Sequence, residues 1–332
     1  MDKTQEPLVS ICCITYNHEK YIRDAIEGFL MQETEFPFEI IIHDDASTDM
    51  TAAIIREYEK KYPELIKPIY QTENQYSKRR NAPLSASFKK AKGKYIALCE
   101  GDDYWTDPLK LQKQITEMEK NPECYISFHP ATVKWDDESR ADQVLSLHSE
   151  KNKIFTIEEV ILGSGEFIPT NSIVINKLAI SRITSFFDLA KEAPIGDYYI
   201  QILGAENGGA LYLSDIMSVY RRGVSGSWSE RFQKSCKDNN SGMNSLIAAN
   251  NKMDAFTNHK YSKQFTIENK RFVLMRLKST DIDVRIRKSF LENHNEYISF
   301  KEKILWYTIL KNPKIIKILK GIRNLFFRST IS

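Results

Sequence analysis

The sequence has no long apolar run and no leader-like start. None of its apolar segments reaches the ~20 residues that a membrane-spanning helix needs. The first ten residues, MDKTQEPLVS, lack the charged, apolar and cleavage regions of a signal peptide. We therefore expect a cytoplasmic protein without a segment that spans a membrane.

Cysteine is scarce, and its spacing suits neither disulfides nor zinc. The chain has five cysteines, with no CxxC pair and no His/Cys cluster at zinc-binding spacing. Most of them lie inside apolar runs. We interpret them as reduced thiols of a hydrophobic core; they are Cys12, Cys13, Cys99, Cys124 and Cys236.

A strong net charge and glycine-rich phosphate loops are also missing. The formal net charge of +3 over 332 residues is too small to indicate a nucleic-acid partner. The first apolar run is followed by TYNHEKY (15–21) and not by GxGxxG, and no GxxxxGK[ST] occurs. A bound phosphate would therefore need a metal ion as its main counter-charge.

Strand-like apolar runs alternate with amphipathic helical patterns through the first hundred residues. Because strand and helix alternate four times, we predict an α/β fold whose mostly parallel sheet is flanked by helices. Further predictions are a helix from Asp197, sheet-edge strands at 210–214 and 216–222, and helices from about 230 onward. The early strands are predicted at 8–15, 38–45, 65–71 and 94–100, and the helices at 19–31, 47–62, 84–92 and 107–122.

Polar clusters follow three of these predicted strands. TYNHE (15–19) follows the first, DDASTD (44–49) the second and EGDD (100–103) the fourth. Ligands of parallel sheets bind beyond the carboxyl ends of the strands. We therefore expect the three loops to form one site.

The third cluster places Glu100, Asp102 and Asp103 within four residues. Hard oxygen ligands of this kind suit Mg²⁺ or Mn²⁺, with substrate phosphates as further ligands. The alternative is that they cap the next helix, but Asp107 before Pro108 already supplies a cap. We favour metal binding.

The second cluster, 44–49, has two interpretations. Ser47 and Asp49 are typical helix N-caps, and we expect them to cap the following helix. Asp44 and Asp45 lie nearer the strand and are candidates for hydrogen bonds to a base or ribose.

Taken in order, the three motifs resemble the family 2 glycosyltransferases, which have the GT-A fold. Thr15-Tyr16-Asn17, the run 44–49 and the run 100–103 match the family's turns over a resemblance that covers about 7–225. The resemblance implies inverting, metal-dependent transfer, with Mn²⁺ or Mg²⁺, from a nucleoside-diphosphate sugar to an acceptor hydroxyl. It also implies a role in surface-polysaccharide or glycolipid assembly.

The resemblance assigns roles to the aspartates of the rim. Asp103 ligates the metal, and Asp102 holds the metal or the ribose. Asp44 or Asp45 contacts the nucleobase. These assignments follow the order of the family's motifs.

Two loops supply the remaining donor contacts that the resemblance implies. Arg79 and Arg80 precede the fourth strand and are placed to reach the nucleotide, although a solvated loop explains them equally well. The nucleotide pocket is lined by the backbone of Thr15, Tyr16 and Asn17.

Inversion requires a general base on the acceptor side. The family places an Asp at the start of a later helix, often as Glu-Asp, and Gly196-Asp197 matches that position. A carboxylate that takes the acceptor proton contributes ~10²–10⁴ in rate. The alternative is that Asp197 only caps its helix; we favour the base.

The chain departs from the family pattern at several positions. Glu100 leaves the sharing of a metal among three carboxylates open, and Gly196 weakens the match at Asp197. The Gln-x-x-Arg-Trp signature of processive synthases is absent, which predicts one sugar transferred per encounter. The departures are Ile14 for Pro, Ala46 for Gly, Glu100 for Asp and Gly196 for Glu.

A glycine-containing segment, RRGVSGSWS (221–229), is expected to be flexible. Arg221, Arg222 and Trp228 are predicted to close over the diphosphate. This prediction rests on the resemblance and on the loop glycines.

We divide the chain into a catalytic domain, 1–225, and a mainly helical region, 226–332. Within the domain, about 7–120 would bind the nucleotide sugar and about 121–225 the acceptor. The segment KIIKILKGIRNLFFR (314–328) is basic and amphipathic. It predicts peripheral contact of 301–328 with the inner membrane face, where lipid-linked saccharide acceptors occur, or packing within the protein or a homodimer.

Two other functions compete with the glycosyltransferase interpretation. A sugar-phosphate nucleotidyltransferase would carry a glycine-rich loop after the first strand, which TYNHEKY is not. An inactive nucleotide- or glycan-binding module would not need the acidic set together with Asp197.

Overall fold

The computed structural model describes residues 6–191, 193–194, 196–224 and 240–311. The chain forms two compact units, Met1–Ser227 and Trp228–Ser332. The basic amphipathic segment 314–328 lies outside the described residues, as do Cys236 and Trp228.

The first unit contains strands in two sheets. The strands are β1 (Val9–Thr15), β2 (Phe38–Asp44), β3 (Ile69–Tyr70), β4 (Tyr95–Glu100), β5 (Tyr104–Trp105), β6 (Ile126–Phe128), β7 (Ala131–Trp135), β8 (Gln143–Leu145), β9 (Lys153–Phe155), β10 (Val174–Asn176), β11 (Ala210–Tyr212) and β12 (Ser218–Arg222).

Helices connect these strands. The helices are α1 (Ile22–Leu30), α2 (Thr51–Lys61), α3 (Gln75–Lys78), α4 (Ala82–Lys90), α5 (Lys110–Lys120), α6 (Ile157–Gly163), α7 (Ile180–Leu189) and α8 (Gly196–Ala205). The predicted third strand is only two residues long, and the other early elements occur where the hydrophobic pattern places them.

The larger sheet has eight strands in the order β3-β2-β1-β4-β10-β6-β11-β9. The four strands from the N-terminal part of the chain are parallel. β1 pairs in parallel with β2 and with β4, and β2 pairs in parallel with β3. β10 runs antiparallel to both of its neighbours, β4 and β6. The predicted mostly parallel α/β architecture is confirmed.

The smaller sheet has four strands in the order β5-β12-β7-β8. The prediction that 210–214 and 216–222 form edge strands is wrong, because β11 lies between β6 and β9 and β12 lies between β5 and β7. Their partners come from distant parts of the chain, so the local sequence carries no sign of them. The position of β12 matters for the site, because β5 directly follows the acidic loop.

Both faces of the parallel strands are covered. Buried side chains of β1, β2 and β4 form one core with α1, α2 and α5, whereas α4 packs against β1 and β2. Burial on both faces explains the continuous apolar runs, and each fully buried Ile contributes ~1.5–3 kcal/mol. Four cysteines are buried free thiols, as expected: Cys12, Cys13, Cys99 and Cys124.

The second unit is helical in the range 240–311. Neighbouring helices along the chain pack on one another. No helix in the described ranges has both the length and the apolarity needed to cross a membrane. The helices are α9 (Ser241–Phe256), α10 (Ser262–Lys278), α11 (Val284–Asn293) and α12 (Phe300–Lys311).

Candidate active site

The carboxyl ends of β1, β2 and β4 lie side by side at one edge of the larger sheet. In the strand register, Thr15 stands opposite Asp44, and Ile14 stands opposite Glu100. The three polar loops that follow these strands are therefore neighbours. This edge is where parallel α/β sheets bind their ligands.

Gly101 allows the acidic loop to approach the loop after β1. A Cβ atom at this position would lie 2.6 Å from Thr15 Oγ1 and 3.1 Å from His18 Nδ1. His18 Nδ1 lies 3.9 Å from Asp102 Oδ1. The buried Thr15 hydroxyl has no hydrogen-bond partner among the described residues, and Tyr16 beside it is 37% exposed. An unpaired buried hydroxyl at this edge is available to a ligand.

Hydrogen bonds fasten the loop after β1 to the loop after β2. Asn17, with a left-handed φ of 57°, accepts from the Thr48 N–H at 2.8 Å and donates its own N–H to Ser47 Oγ at 2.9 Å. Ser47 therefore joins the two loops and does not cap α2 as predicted. Asp49 does accept the N–H of Thr51, the first residue of α2, at 2.9 Å.

The two aspartates at the end of β2 are both buried but differ in their partners. Asp45 accepts the Gln75 N–H at 2.8 Å with one oxygen and the Tyr76 N–H at 3.0 Å with the other, and so caps α3. Asp44 Oδ1 has no partner in the described ranges. Burial raises the pKa of the Asp44 carboxyl, against opposing hydrogen bonds from Ser47. Asp44 is thus the better placed of the two to accept a hydrogen bond from a ligand.

Asp103 is buried in the turn between β4 and β5, with only 1% of its surface exposed. Its Oδ1 accepts the Arg221 N–H at 2.8 Å, and its Oδ2 has no partner among the residues that the structure describes. Burial, and then the negative charges of Asp102 and Glu100, raise the pKa of the Asp103 carboxyl well above its ordinary value. The backbone N–H and the charge of Arg221 oppose this rise, but one oxygen of the buried Asp103 carboxyl keeps no described partner.

The acidic loop fits a cation that is completed by substrate. The Asp102 side chain is 14% exposed, and Glu100 is exposed. Within the described ranges, no group of three His, Cys, Asp or Glu side chains is arranged to hold a metal ion by itself. Mg²⁺ is usually held by one or two carboxylates plus phosphates and water. The unpaired oxygen of Asp103 and the adjacent Asp102 meet that requirement.

Arg221 holds the acidic loop in place. Its guanidinium donates to the Asp102 carbonyl oxygen at 2.8 Å and to the Asp24 carboxylate. Arg222 pairs with Glu166 at 2.7 Å. Both arginines therefore have protein partners, Arg221 at the acidic loop and Arg222 in an ion pair at the surface. Their closure over a diphosphate stays a prediction.

Asp197 lies in the first turn of α8, and two donors hold its carboxylate. Oδ2 accepts the Thr170 hydroxyl at 2.8 Å, and Oδ1 accepts the Tyr198 N–H at 2.9 Å. Burial raises the pKa of the Asp197 carboxyl, and these hydrogen bonds oppose the rise. A raised pKa makes a carboxylate a stronger proton acceptor, which a general base requires.

Gly196 accounts for one departure from the family pattern. A Cβ atom there would lie 2.5 Å from Asn81 Oδ1, so the loop before α4 packs directly against the start of α8. The glutamate that often precedes the base would have to displace Asn81. This close packing gives a structural reason for glycine at position 196, and the role of Asp197 as the base stays a prediction.

The two arginines before α4 have different surroundings. Arg79 pairs with Asp188 of α7. Arg80 is exposed and makes no hydrogen bond or ion pair with any residue in the described part of the chain. Arg80 is therefore the better placed of the two to meet an anionic ligand.

The sequence analysis missed Tyr220, a half-buried residue of β12. Burial raises the pKa of its hydroxyl, and four carboxylates raise it further: Asp103, Glu100, Asp197 and Asp102. The phenol is thus a neutral donor within electrostatic reach of both the acidic loop and Asp197. The sequence carried one signal for this residue. Successive side chains of a strand point to opposite faces, so Tyr220 lies on the face of β12 opposite to that of Arg221, which the sequence analysis had considered.

Comparison with known sequences supports the predicted family. The profile of Glycosyl transferase family 2 matches residues 10–179. An uncharacterized protein of Mycobacterium tuberculosis is 40% identical over 224 residues, which are 66% of this chain and 60% of that protein. The putative teichuronic acid biosynthesis glycosyltransferase TuaG of Bacillus subtilis is 32% identical over 158 residues, 48% of this chain and 60% of TuaG. The matches thus span 60% of the length of these relatives.

A solved structure supports the fold. The mannosyltransferase PcManGT from Pyrobaculum calidifontis, in complex with GDP-Man and Mn²⁺, matches with a TM-score of 0.56 at 14% identity. The match covers 98% of this chain and 89% of PcManGT. The predicted family and fold are therefore confirmed: the chain belongs to glycosyl transferase family 2 and has a GT-A fold.

Proposed function

We propose that the protein transfers a sugar from a nucleoside-diphosphate sugar to an acceptor hydroxyl, with inversion at the anomeric carbon and with a divalent cation. The observation that supports this most directly is the buried Asp103 oxygen that lacks a partner in the described structure, next to Asp102 at the strand-end rim. A bound cation would favour the charged form of this buried carboxyl, and a cation at this edge suits a diphosphate. Family membership supports the transfer of a sugar.

The donor would lie along the rim formed by the three loops. Asp44 would accept a hydrogen bond from the nucleobase or ribose, and the backbone of 15–17 would line the pocket. Asp102 and Asp103 would hold Mn²⁺ or Mg²⁺, which neutralises negative charge on the leaving diphosphate when it is bound. Arg80 would approach the nucleotide from the loop before α4. The occupied oxygens of Asp45 make it a structural residue in this proposal.

Asp197 would act as the general base. The acceptor oxygen forms a bond to the anomeric carbon, and the bond from that carbon to the diphosphate oxygen breaks. The acceptor proton moves to Asp197, and the nucleoside diphosphate leaves with the bonding electrons. Attack on the face opposite the leaving group inverts the configuration. Because only the ionised carboxylate accepts the proton, the rate should fall as the pH decreases through the raised pKa of Asp197.

The proposed acceptor is a saccharide or lipid-linked saccharide of the cell surface. The relative TuaG is named as a putative teichuronic acid biosynthesis glycosyltransferase, which supports a role in surface-polysaccharide assembly. The absent processive signature supports the addition of one sugar per encounter.

We also propose peripheral contact between α12 and an anionic membrane. Phe300 is 77% exposed and Ile304 is 54% exposed, next to the exposed Lys301. An anionic bilayer surface offers both an apolar boundary and negative charge. With vesicles containing phosphatidylglycerol, Phe300→Asp/Ile304→Asp should reduce co-sedimentation, whereas Leu147→Asp, at another exposed apolar site, should not. Equal partitioning of all three proteins would exclude this contact.

A panel of UDP- and GDP-sugars tests the catalytic proposal. Wild-type protein should release nucleoside diphosphate slowly with Mn²⁺ or Mg²⁺, and EDTA should stop the release. Asp103→Asn and Asp197→Asn should each lose ~10²-fold or more. In thermal-shift measurements, Asp197→Asn should keep metal-dependent nucleotide binding and Asp103→Asn should lose it. Protein that binds nucleotide sugars but never turns them over would instead be a binding module.

A further inference from the structure

The turn Thr170–Ser172 contacts both sides of the proposed active site. Asn171 is fully buried. Its side-chain N–H donates to the Val219 carbonyl oxygen at 2.8 Å, and its side-chain oxygen accepts the Ser218 hydroxyl at 3.1 Å. Its carbonyl oxygen accepts the indole N–H of Trp105 at 2.8 Å. The turn is therefore fixed to β12 and to the strand that follows the acidic loop.

The same turn reaches Asp197 through its first residue. The Thr170 hydroxyl donates to Asp197 Oδ2 at 2.8 Å. The other carboxylate oxygen is bonded to the N–H of Tyr198, within the helix of Asp197 itself. Among the described residues, Thr170 thus makes the side-chain hydrogen bond that orients Asp197 from outside α8.

We propose that Thr170 is a positioning residue for the catalytic base: its hydroxyl orients Asp197 and keeps it ionised, and the adjacent Asn171 ties the turn to β12 and to the strand that follows the acidic loop. The inference deepens the proposed function and rests on Asp197 being the base. It assigns a purpose to the buried Asn171, whose three hydrogen bonds would otherwise serve only the stability of a short turn.

The physical argument concerns the charged form of the base. A hydroxyl that donates to an ionised carboxylate stabilises the charge, while burial disfavours it. Among the described residues, the other hydrogen bonds to this carboxylate come from backbone N–H groups, those of Tyr198 and of Asp197 itself. Loss of the Thr170 hydroxyl should therefore leave Asp197 protonated over a wider range of pH.

Thr170→Val removes the donor at nearly constant volume, and Thr170→Ser keeps it. The readout is the pH profile of nucleoside diphosphate release from the donor identified by the sugar panel. Thr170→Val should move the acid limb to higher pH and lower the rate about tenfold at the acid end, with a smaller loss on the alkaline plateau. Thr170→Ser should restore the wild-type profile. Thr184→Val, which removes a hydroxyl bonded to the Ile180 carbonyl oxygen on α7 at 2.9 Å, is the matched control and should leave the profile unchanged.

A titration of the carboxyl ¹³C resonance gives a readout that does not depend on turnover. The resonance of Asp197 is assigned by its loss in Asp197→Asn and should titrate at higher pH in Thr170→Val than in wild type or Thr170→Ser. An unchanged titration in folded Thr170→Val would overturn the inference. Full activity of Asp197→Asn would instead overturn the proposed base, and with it the catalytic role of Thr170.

Discussion

The chain contains two acidic clusters that look alike in sequence and behave differently in the fold. In the cluster 44–49, most carboxylate oxygens accept backbone N–H groups, as in Asp45 and Asp49. In the cluster 100–103, Asp103 is buried with one unpaired oxygen in the described structure and has Asp102 and Glu100 as like-charged neighbours. The first cluster mainly builds the loops, and the second keeps a buried carboxylate oxygen without a partner among the described residues.

The pKa shifts follow the same division. For Asp49, burial acts to raise the pKa, but hydrogen bonds from Thr51 and Glu19 bring it below the ordinary value. For Asp103, burial and the neighbouring carboxylates dominate, and the pKa is raised. An acidic cluster is therefore a candidate ligand site when its oxygens lack protein donors, and not because it is acidic.

The largest effect is expected for Asp103→Asn. Loss of the cation should lower turnover by ~10³-fold, which corresponds to the several kcal/mol that a metal supplies to charge stabilisation. The melting temperature without metal should stay the same or rise, because the substitution removes a buried, unpaired charge. Nucleotide-sugar turnover and thermal unfolding measure the two effects.

Asp45→Asn is the matched control from the other cluster. It should lower the free energy of unfolding by about 1–3 kcal/mol, because an amide cannot accept both the Gln75 and the Tyr76 N–H groups. Turnover of the folded fraction should change much less than in Asp103→Asn. Denaturant unfolding measures the loss of stability. Turnover at denaturant concentrations below the unfolding transition measures the activity of the folded protein. A variant that is stable but inactive would contradict the structural role of Asp45.

Asp44→Asn should give an intermediate result, since Asp44 has one unpaired oxygen in the described structure. We expect the KM for the nucleotide sugar to rise about tenfold, from the loss of a hydrogen bond to a charged acceptor, with a smaller change in kcat. Steady-state kinetics at saturating metal provides the measurement. A change confined to kcat would contradict the proposed contact between Asp44 and the nucleoside.

The smallest effect is expected for Ala46→Gly. Ala46 has a left-handed φ of 64°, where glycine is usual in the family and where an L-residue is strained. The substitution should raise the free energy of unfolding by about 0.5 kcal/mol, because the relief of strain exceeds the added chain entropy. Turnover should be unchanged. A loss of stability on denaturant unfolding would show that the loop is not strained at this residue.

Much of the fold was predictable from the sequence, because the early strands are buried on both faces and their apolar runs are continuous. The three rim loops were also predictable, since parallel strands end at the same edge. The wrong predictions share another cause. Ser47 resembles a helix cap locally but bonds to Asn17, 30 residues away, and the partners of β12 come from β5 and β7.

The sequence by itself determined the alternation of strands and helices and the identity of the acidic residues at their ends, because hydrophobic periodicity is a local property of the chain. Only the tertiary structure decided which carboxylates are satisfied and which are left without a partner. Arg221 reaches Asp103 across 118 positions of sequence, and Thr170 reaches Asp197 across 27. Such contacts depend on how whole elements pack, so the surroundings that set a side chain's charge and orientation become visible only in the folded chain.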